Sequence, residues 1–294
     1  MTDRKADGEE MGNRVGFLGP KGTFTEYATV QLMRDREHVP FPTIPECLDA
    51  VAEGSVDYAV VPLENAIEGS VNLTIDYLIH EQPLPIVGEV IVPITQHLMV
   101  HPQNEGKWDK ISDVYSHSHA IAQCHQFFHR NMPVVNLHYM NSTGLAAAFV
   151  KEHPDRCIAA VGNEFAAKEY GLEVVKRNIH DFNNNHTRFM VVARKDTEIA
   201  STAVKPSYKT TLMVTLGDDY SGALHQVLSA FSWRKLNLSK IESRPTKTGL
   251  GNYFFIIDVE MKLDGVLIPG VKAELEALGC RVTILGSYPS YFFR

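Results

Sequence analysis

Between residues 14 and 193, short apolar runs rich in β-branched residues alternate with segments of helical period, and no other feature constrains the fold of this chain as tightly. Strands are expected over 15–18, 58–61, 86–92, 96–100, 134–139, 158–161, 174–178 and 188–193, and helices over 26–36, 45–52, 71–79, 120–130, 144–152 and 164–170. In the third of these helices Val71, Ile75 and Leu78 recur at i, i+4 and i+7, so a single face meets the core. Such an order predicts an α/β layer structure with a mostly parallel sheet. The apolar pattern fades over 196–208, which carries Pro206 and reads as a linker, and then restarts. Strands over 209–216, 238–243, 253–261 and 281–285 with helices over 222–234 and 271–278 give the order βαββαβ, an α+β ferredoxin-like unit whose edges can pair with another copy. Gly249-Leu250-Gly251-Asn252 is expected as the turn between two of those strands. The chain therefore divides into a charged tail over 1–13, an α/β domain over 14–195, the linker, and a second domain over 209–294.

A chain of 294 residues, 44% of them hydrophobic, can bury more than one core. Its longest apolar stretch, 84–100, is broken by Pro85, Pro93 and His97, and residues 1–13 lack the apolar centre of a signal peptide. Neither a membrane span nor export is expected, which makes the protein cytoplasmic. The net charge of -7 and the lack of a clustered basic face argue against nucleic acid as a partner and favour small molecules. Cys47, Cys124, Cys157 and Cys280 are far apart, each in an apolar stretch, so they read as buried thiols and not as a zinc or disulfide set.

Polar candidates gather at strand ends. Asn183-Asn184-Asn185-His186-Thr187-Arg188-Phe189 places a hydroxyl beside a guanidinium just before the apolar run 190–193. A strand end is a more rigid platform for chemistry than a loop. Three loops of small and hydroxyl residues precede helix starts: Gly19-Pro20-Lys21-Gly22-Thr23-Phe24-Thr25, Ser116-His117-Ser118-His119 and Asn141-Ser142-Thr143-Gly144. Each reads either as ordinary capping or, if the three converge, as a pocket for a small carboxylic acid. The stretch from Val61 to Gly69 carries Glu64 and Asn65 after a strand, where open α/β folds place ligands, or else is a solvated turn. His117, His119 and His125 lack an acidic or thiol ligand at the usual spacing, so no metal is expected. No G-x-S-x-G elbow is present, and a general acid from Glu64, a histidine or a hydroxyl stays open at this point.

Together these segments resemble the prephenate dehydratase family over nearly the whole chain. Gly19-Pro20-Lys21-Gly22-Thr23-Phe24 resembles its G-P-x-G-T-F, Pro62-Leu63-Glu64-Asn65 its P-x-E-N, and Ser116-His117 through Gln123-Cys124 its S-H-P-Q-x-x-x-Q-C. Ser142-Thr143 resembles the S-T before its Ala-rich helix, and Thr187-Arg188-Phe189 its T-R-F. Five such segments in one order are specific. The resemblance implies a two-lobed, periplasmic-binding-protein-like catalytic domain that converts prephenate to phenylpyruvate, carbon dioxide and water without cofactor or metal. It implies catalytic roles for Thr187, Arg188 and Glu64. Thr187 assists the leaving hydroxyl, with Glu64 as reserve acid, and Arg188 and helix N-termini hold a carboxylate. Substrate contacts are implied from Asn65, Ser116, Gln123, Thr23, Ser142, Thr143 and Phe189. The second domain resembles an ACT regulatory domain, with Gly222-Ala223-Leu224 opening its first helix and Glu242-Ser243-Arg244-Pro245 as its E-S-R-P. With Asn237 these imply a site for L-phenylalanine at a dimer interface, hence feedback inhibition and self-association as a dimer or tetramer; with no chorismate mutase segment seen before Arg14, a monofunctional enzyme is expected. Without the resemblance, Glu242 and Arg244 read as an exposed ion pair. Ser118, His119 and Ala66 depart from the family pattern. Arogenate dehydratase is the neighbouring alternative, and a non-catalytic anion-binding or amino-acid-sensing protein the alternative from another class. Any signal passing from Glu242 to Thr187 is expected to run along the linker.

Overall fold

The structure, a computed structural model, describes residues 13–199, 204–217, 220–247 and 253–293. The expected tail up to residue 12, linker residues 200–203 and the expected turn at 249–252 lie outside the described residues.

The first lobe contains β1 (Arg14–Leu18), α1 (Phe24–Leu32), β2 (Glu37–Phe41), α2 (Ile44–Glu53), β3 (Tyr58–Asn65), β4 (Gly69–Ser70), α3 (Asn72–His80) and β5 (Ile86–Pro93). The chain then crosses into a second lobe, with β6 (His97–Val100), a 3-10 segment (Pro102–Lys110), β7 (Asp113–His117), α4 (Ser118–Ala122), α5 (His125–Asn131), β8 (Asn136–Met140), α6 (Thr143–Glu152), β9 (Ile158–Gly162), α7 (Glu164–Tyr170) and β10 (Glu173–Lys176). It returns to the first lobe as β11 (His186–Ala193). The C-terminal domain consists of β12 (Ser207–Thr215), α8 (Ala223–Ser232), β13 (Leu238–Pro245), β14 (Tyr253–Val259), α9 (Leu267–Ala277) and β15 (Arg281–Phe292).

Both lobes are mixed sheets, where the sequence suggested mostly parallel ones. In the first, β1 runs parallel to β2 and β3, but β11 comes back from the other lobe antiparallel to β3 and β5. In the second, ordered β10-β6-β9-β7-β8, only β7 has parallel neighbours on both sides. Strands β2 and β7 are further additions to the sequence reading. Pro40 inside β2 is tolerated because β2 is the edge of its sheet. The helix expected over 120–130 is two short helices with Gln123 at the junction, and β3 runs on through Glu64 and Asn65, which therefore belong to a strand and not to a turn.

The C-terminal domain has the expected βαββαβ order, with strands arranged β13-β14-β12-β15. One sheet face packs on α8 and α9 through Leu212, Phe255, Ile257 and Val227. The other face, with Phe254, Ile256 and Tyr288, closes over the first lobe and shares a core with Ile75, Leu78, Met190 and Val192. β15 is much longer than the sequence suggested: it pairs with β12 as far as Ser290, and its end runs parallel to β5, Ser290 opposite Glu89 and Phe292 opposite Ile91, so the two units share one continuous sheet. The approach is close enough that a Cβ at Gly286 would lie 2.1 Å from the Ile86 carbonyl oxygen. The beginning of the expected linker is packed as well, with Ile199 buried in the first-lobe core. Among the described residues no helix is long and apolar enough to cross a membrane.

Candidate active site

The two crossings between lobes lie at 93–97 and 177–186, and β3 and β11 present their ends beside them. Across this antiparallel pair Thr187 stands opposite Asn65, and Arg188 opposite Glu64. Because side chains alternate along a strand, the two rungs face opposite ways.

On the first rung, Asn65 Nδ2 donates to Thr187 Oγ1 at 2.8 Å. The orientation of this amide is determined, because Asn65 Oδ1 accepts the backbone N–H groups of Ile67 (2.9 Å) and Glu68 (3.0 Å). Thr187 Oγ1 is thus an acceptor toward Asn65, and its proton is left to point elsewhere. The same turn carries Glu68 across to the second lobe, where Gln123 Nε2 donates to it at 3.4 Å and His119 lies 3.4 Å away. Gln123 Oε1 in turn accepts from Gln96 Nε2, on the hinge, at 3.5 Å. Thr187, Asn65 and Gln123 are therefore brought together, with Thr187 and Gln123 each less than a tenth exposed.

A second set of contacts between the lobes is made at helix starts. Thr23 caps α1 by accepting from the Glu26 N–H, while buried Glu26 accepts the Gly22 N–H at 2.6 Å; burial holds the Glu26 carboxyl above the ordinary carboxylate range. Ser142 caps α6 by accepting from the Leu145 N–H at 3.0 Å, with Thr143 buried behind it. The first and third loops meet: a Cβ on Gly144 would lie 2.2 Å from the Lys21 carbonyl oxygen. Asn163, the cap of α7, donates to the Gly22 carbonyl at 3.2 Å, and the Tyr170 hydroxyl donates to that of Lys21 at 3.0 Å. The lobes thus touch at two places.

Other expected residues lie elsewhere. Arg188 and Glu64 face the C-terminal domain: Arg188 Nη1 meets Glu64 at 2.8 Å, and Nη2 meets Glu89 and Asp258, the latter at 2.7 Å. Burial alone would lower the guanidinium pKa, but Glu89 and Asp258 hold it above its ordinary value. Burial likewise pushes Glu89 up, yet Arg188 and Lys209 outweigh it and keep that carboxyl below its usual range. A guanidinium engaged by three carboxylates is not positioned to hold a substrate carboxylate, and Glu64, paired also with Lys240 at 3.2 Å, is not a free acid. Phe189 is core, packed with Val15, Phe17 and Val90 one step deeper in the lobe. Ser116 is fully buried, and its hydroxyl donates to the Val161 carbonyl at 2.6 Å, tying β7 to β9. His117 caps α4, its pKa lowered by burial and then by His119.

In the C-terminal domain Ala223, the first residue of α8, is buried, Leu224 is 38% exposed, and Asn237 donates to Glu260. Glu242 and Arg244 are not an exposed pair. Both point from β13 at the first lobe, Glu242 accepting from Ser70 at 2.7 Å and Arg244 meeting Asp76 at 2.7 Å. Ser243 and Pro245 alternate outward to solvent.

Glu68, Gln96 and Asn163 were missed by the sequence reading. Asn163 before a helix start carries a capping signal that could have flagged it; nothing local distinguishes Glu68 or Gln96, which matter only because the lobes close.

The sequence matches the family model described as Prephenate dehydratase over residues 15–197. It is 60% identical over 283 residues to the prephenate dehydratase of Bacillus subtilis, covering 95% of this chain and 99% of that one. Among solved structures, the prephenate dehydratase of Arthrobacter aurescens in complex with L-Phe superposes with a TM-score of 0.82 at 35% identity, over 94% of this chain and 89% of that one. GqqA, described as a quorum-quenching acylase, superposes with a TM-score of 0.81 at 26% identity, over 94% and 98% of the two chains.

Proposed function

The chain belongs to the prephenate dehydratase family, and from that premise we propose that its cleft converts prephenate to phenylpyruvate, carbon dioxide and water with Thr187 as the hydroxyl that assists departure of the leaving group. The electron pair of the carbon–carboxylate bond enters the ring as carbon dioxide leaves, and the ring becomes aromatic as the C4 hydroxyl departs. With one proton taken up, that hydroxyl leaves as water. Aromatisation supplies the driving force, so the protein has to align the two departing groups and stabilise the charge that develops on the hydroxyl. The observation that carries this reading is the locked Asn65 amide, which makes Thr187 accept on one side and leaves its O–H to donate to the substrate.

Gln123 orients the substrate from the second lobe, and the N-terminal ends of α1 and α6, at Thr23, Ser142 and Thr143, favour its carboxylates through their helix dipoles. GqqA shares the fold, but a fold hosts many activities and 60% identity to a named dehydratase weighs more. Feedback follows the same line of argument. The C-terminal domain acts as an ACT domain and takes L-phenylalanine against Gly222, Ala223 and Leu224 with the segment from Glu242 to Pro245, Asn237 supporting the strand. β13, the outermost strand of its sheet among the described residues, pairs with a second copy.

Purified protein incubated with prephenate and, separately, with arogenate, each with and without L-phenylalanine, tests the reading by ultraviolet absorbance of the product. Turnover of prephenate, reduced by phenylalanine, is expected. Turnover of arogenate alone, or of neither, overturns it.

A further inference from the structure

The catalytic rung has a second side that belongs to the C-terminal domain. Glu64 and Arg188 are the immediate chain neighbours of Asn65 and Thr187 on the same two strands, so any shift in the Glu64–Arg188 pairing moves the Asn65–Thr187 hydrogen bond as well. That pair is completed from outside the lobe: Asp258 on β14 meets Arg188 at 2.7 Å, and Lys240 on β13 meets Glu64 at 3.2 Å. Lys240 also meets Glu242 at 2.9 Å and donates to Ser70 at 2.9 Å. Lys209 and Ser290 hold Glu89 at 2.8 and 2.6 Å, and Glu89 stands behind Arg188. Lys240, Asp258 and Glu89 are all nearly buried, so these pairs are poorly screened by solvent.

We propose that Asp258 and Lys240 are positioning residues for the dehydratase reaction, setting the geometry of the Asn65–Thr187 pair from behind, and that Lys240 carries the state of the Glu242–Pro245 segment to that pair. The direct contact replaces the linker as the route of coupling. A ligand that draws Glu242 away from Lys240 and Ser70 releases Lys240, alters its hold on Glu64, and shifts the rung on which Thr187 sits. The second half of the proposal rests on the phenylalanine reading above; the first half does not.

The test uses the full-length protein and the variants Asp258→Asn, Lys240→Met and Lys240→Arg, each checked by thermal melting and assayed for kcat, KM and phenylalanine inhibition, with phenylalanine binding measured separately by calorimetry. For Asp258→Asn, kcat is expected to fall about tenfold while KM for prephenate stays within about twofold, the pattern of an interaction that matters in the transition state only. Lys240→Met is expected to bind phenylalanine within about threefold of the parent while its inhibition weakens at least tenfold, and Lys240→Arg to restore it. If both Asp258→Asn and Lys240→Met melt normally and keep the parent's kcat, KM and inhibition, the positioning role is overturned. Should Asp258→Asn fail to fold, the kcat of Lys240→Met relative to Lys240→Arg decides, equal rates counting against the proposal. A parent that ignores phenylalanine refutes the feedback reading, while the kcat and KM comparison still decides the positioning role.

Discussion

Two faces of one pair of strands have been given opposite chemistry. On the cleft face of β3 and β11, Asn65 and Thr187 are neutral and joined by a single hydrogen bond; on the back face, one residue along each strand, Glu64 and Arg188 sit in a nearly buried cluster with Glu89, Asp258, Lys209 and Lys240. Strand alternation makes the separation possible. Its use follows from where charge is needed. A substrate carrying two carboxylates brings its own charge into the cleft, so neutral donors there avoid a desolvated counter-charge, while the charged residues behind are held by partners on all sides. On the proposed reading the back face supplies stability and alignment, and the front face supplies the hydroxyl that assists the leaving group.

Substitutions can break this division. Removing Arg188 as Arg188→Leu should cost the most, about 3–5 kcal/mol of stability in urea unfolding at neutral pH, because three carboxylates lose their common partner. A loss under about 1 kcal/mol would make the cluster no stronger than a surface pair. On the front face, Thr187→Ala should leave the melt unchanged and lower kcat about a hundredfold, about 2.7 kcal/mol of barrier, with Thr187→Ser recovering much of it. Activity of Thr187→Ala within about threefold of the parent would remove the hydroxyl from the mechanism.

Closure is a smaller effect. Gly144→Ala puts a methyl against the Lys21 carbonyl and forces that contact apart, with an expected fall of about tenfold in kcat/KM, about 1.4 kcal/mol. An unchanged kcat/KM would show that the first and third loops need not meet during turnover. The smallest expected effect is on acid stability. Glu89 and Glu242 lie below the ordinary glutamate range, so each contributes stability that is present above the unfolded value of about 4.3 and is lost as pH falls through its lower folded value. The melting temperature should fall more steeply once pH drops below about 4.3, with a shallower decline there in Glu242→Gln. An equal slope in variant and parent would discount Glu242 as a source of acid sensitivity.

Much of the front face was legible in the sequence. Thr187, Asn65 and Gln123 were singled out there, and the structure joins them through Glu68; Thr23 and Ser142 were read at helix starts and are caps. The back face was not legible. Arg188 beside Thr187 looked like part of the same site, and only the direction of its strand in the sheet turned it toward Asp258, 70 residues away. Glu242 and Arg244 looked like surface charges because nothing near them in the chain names Ser70 or Asp76 as partners. The reach of β15 was missed for a related reason: the segment from Gly286 to Phe292 has no apolar alternation of its own, and it became strand because β12 pairs it as far as Ser290 and the edge of β5 takes Ser290 to Phe292.

Sequence alone determined the features that local chemistry encodes: most of the helices and strands though not β2 or β7, the βαββαβ unit, the caps at Thr23 and Ser142, and the choice of Thr187, Asn65 and Gln123 as candidates. Tertiary structure decided which side of a strand each charge would face, that the second domain would close over the first lobe, and that Ser290 near the C-terminus would bond to Glu89, 201 residues away. The reason is that periodicity and capping act over a few residues and leave their mark in the sequence, whereas the partner of a buried charge is chosen by how distant strands come to lie beside one another.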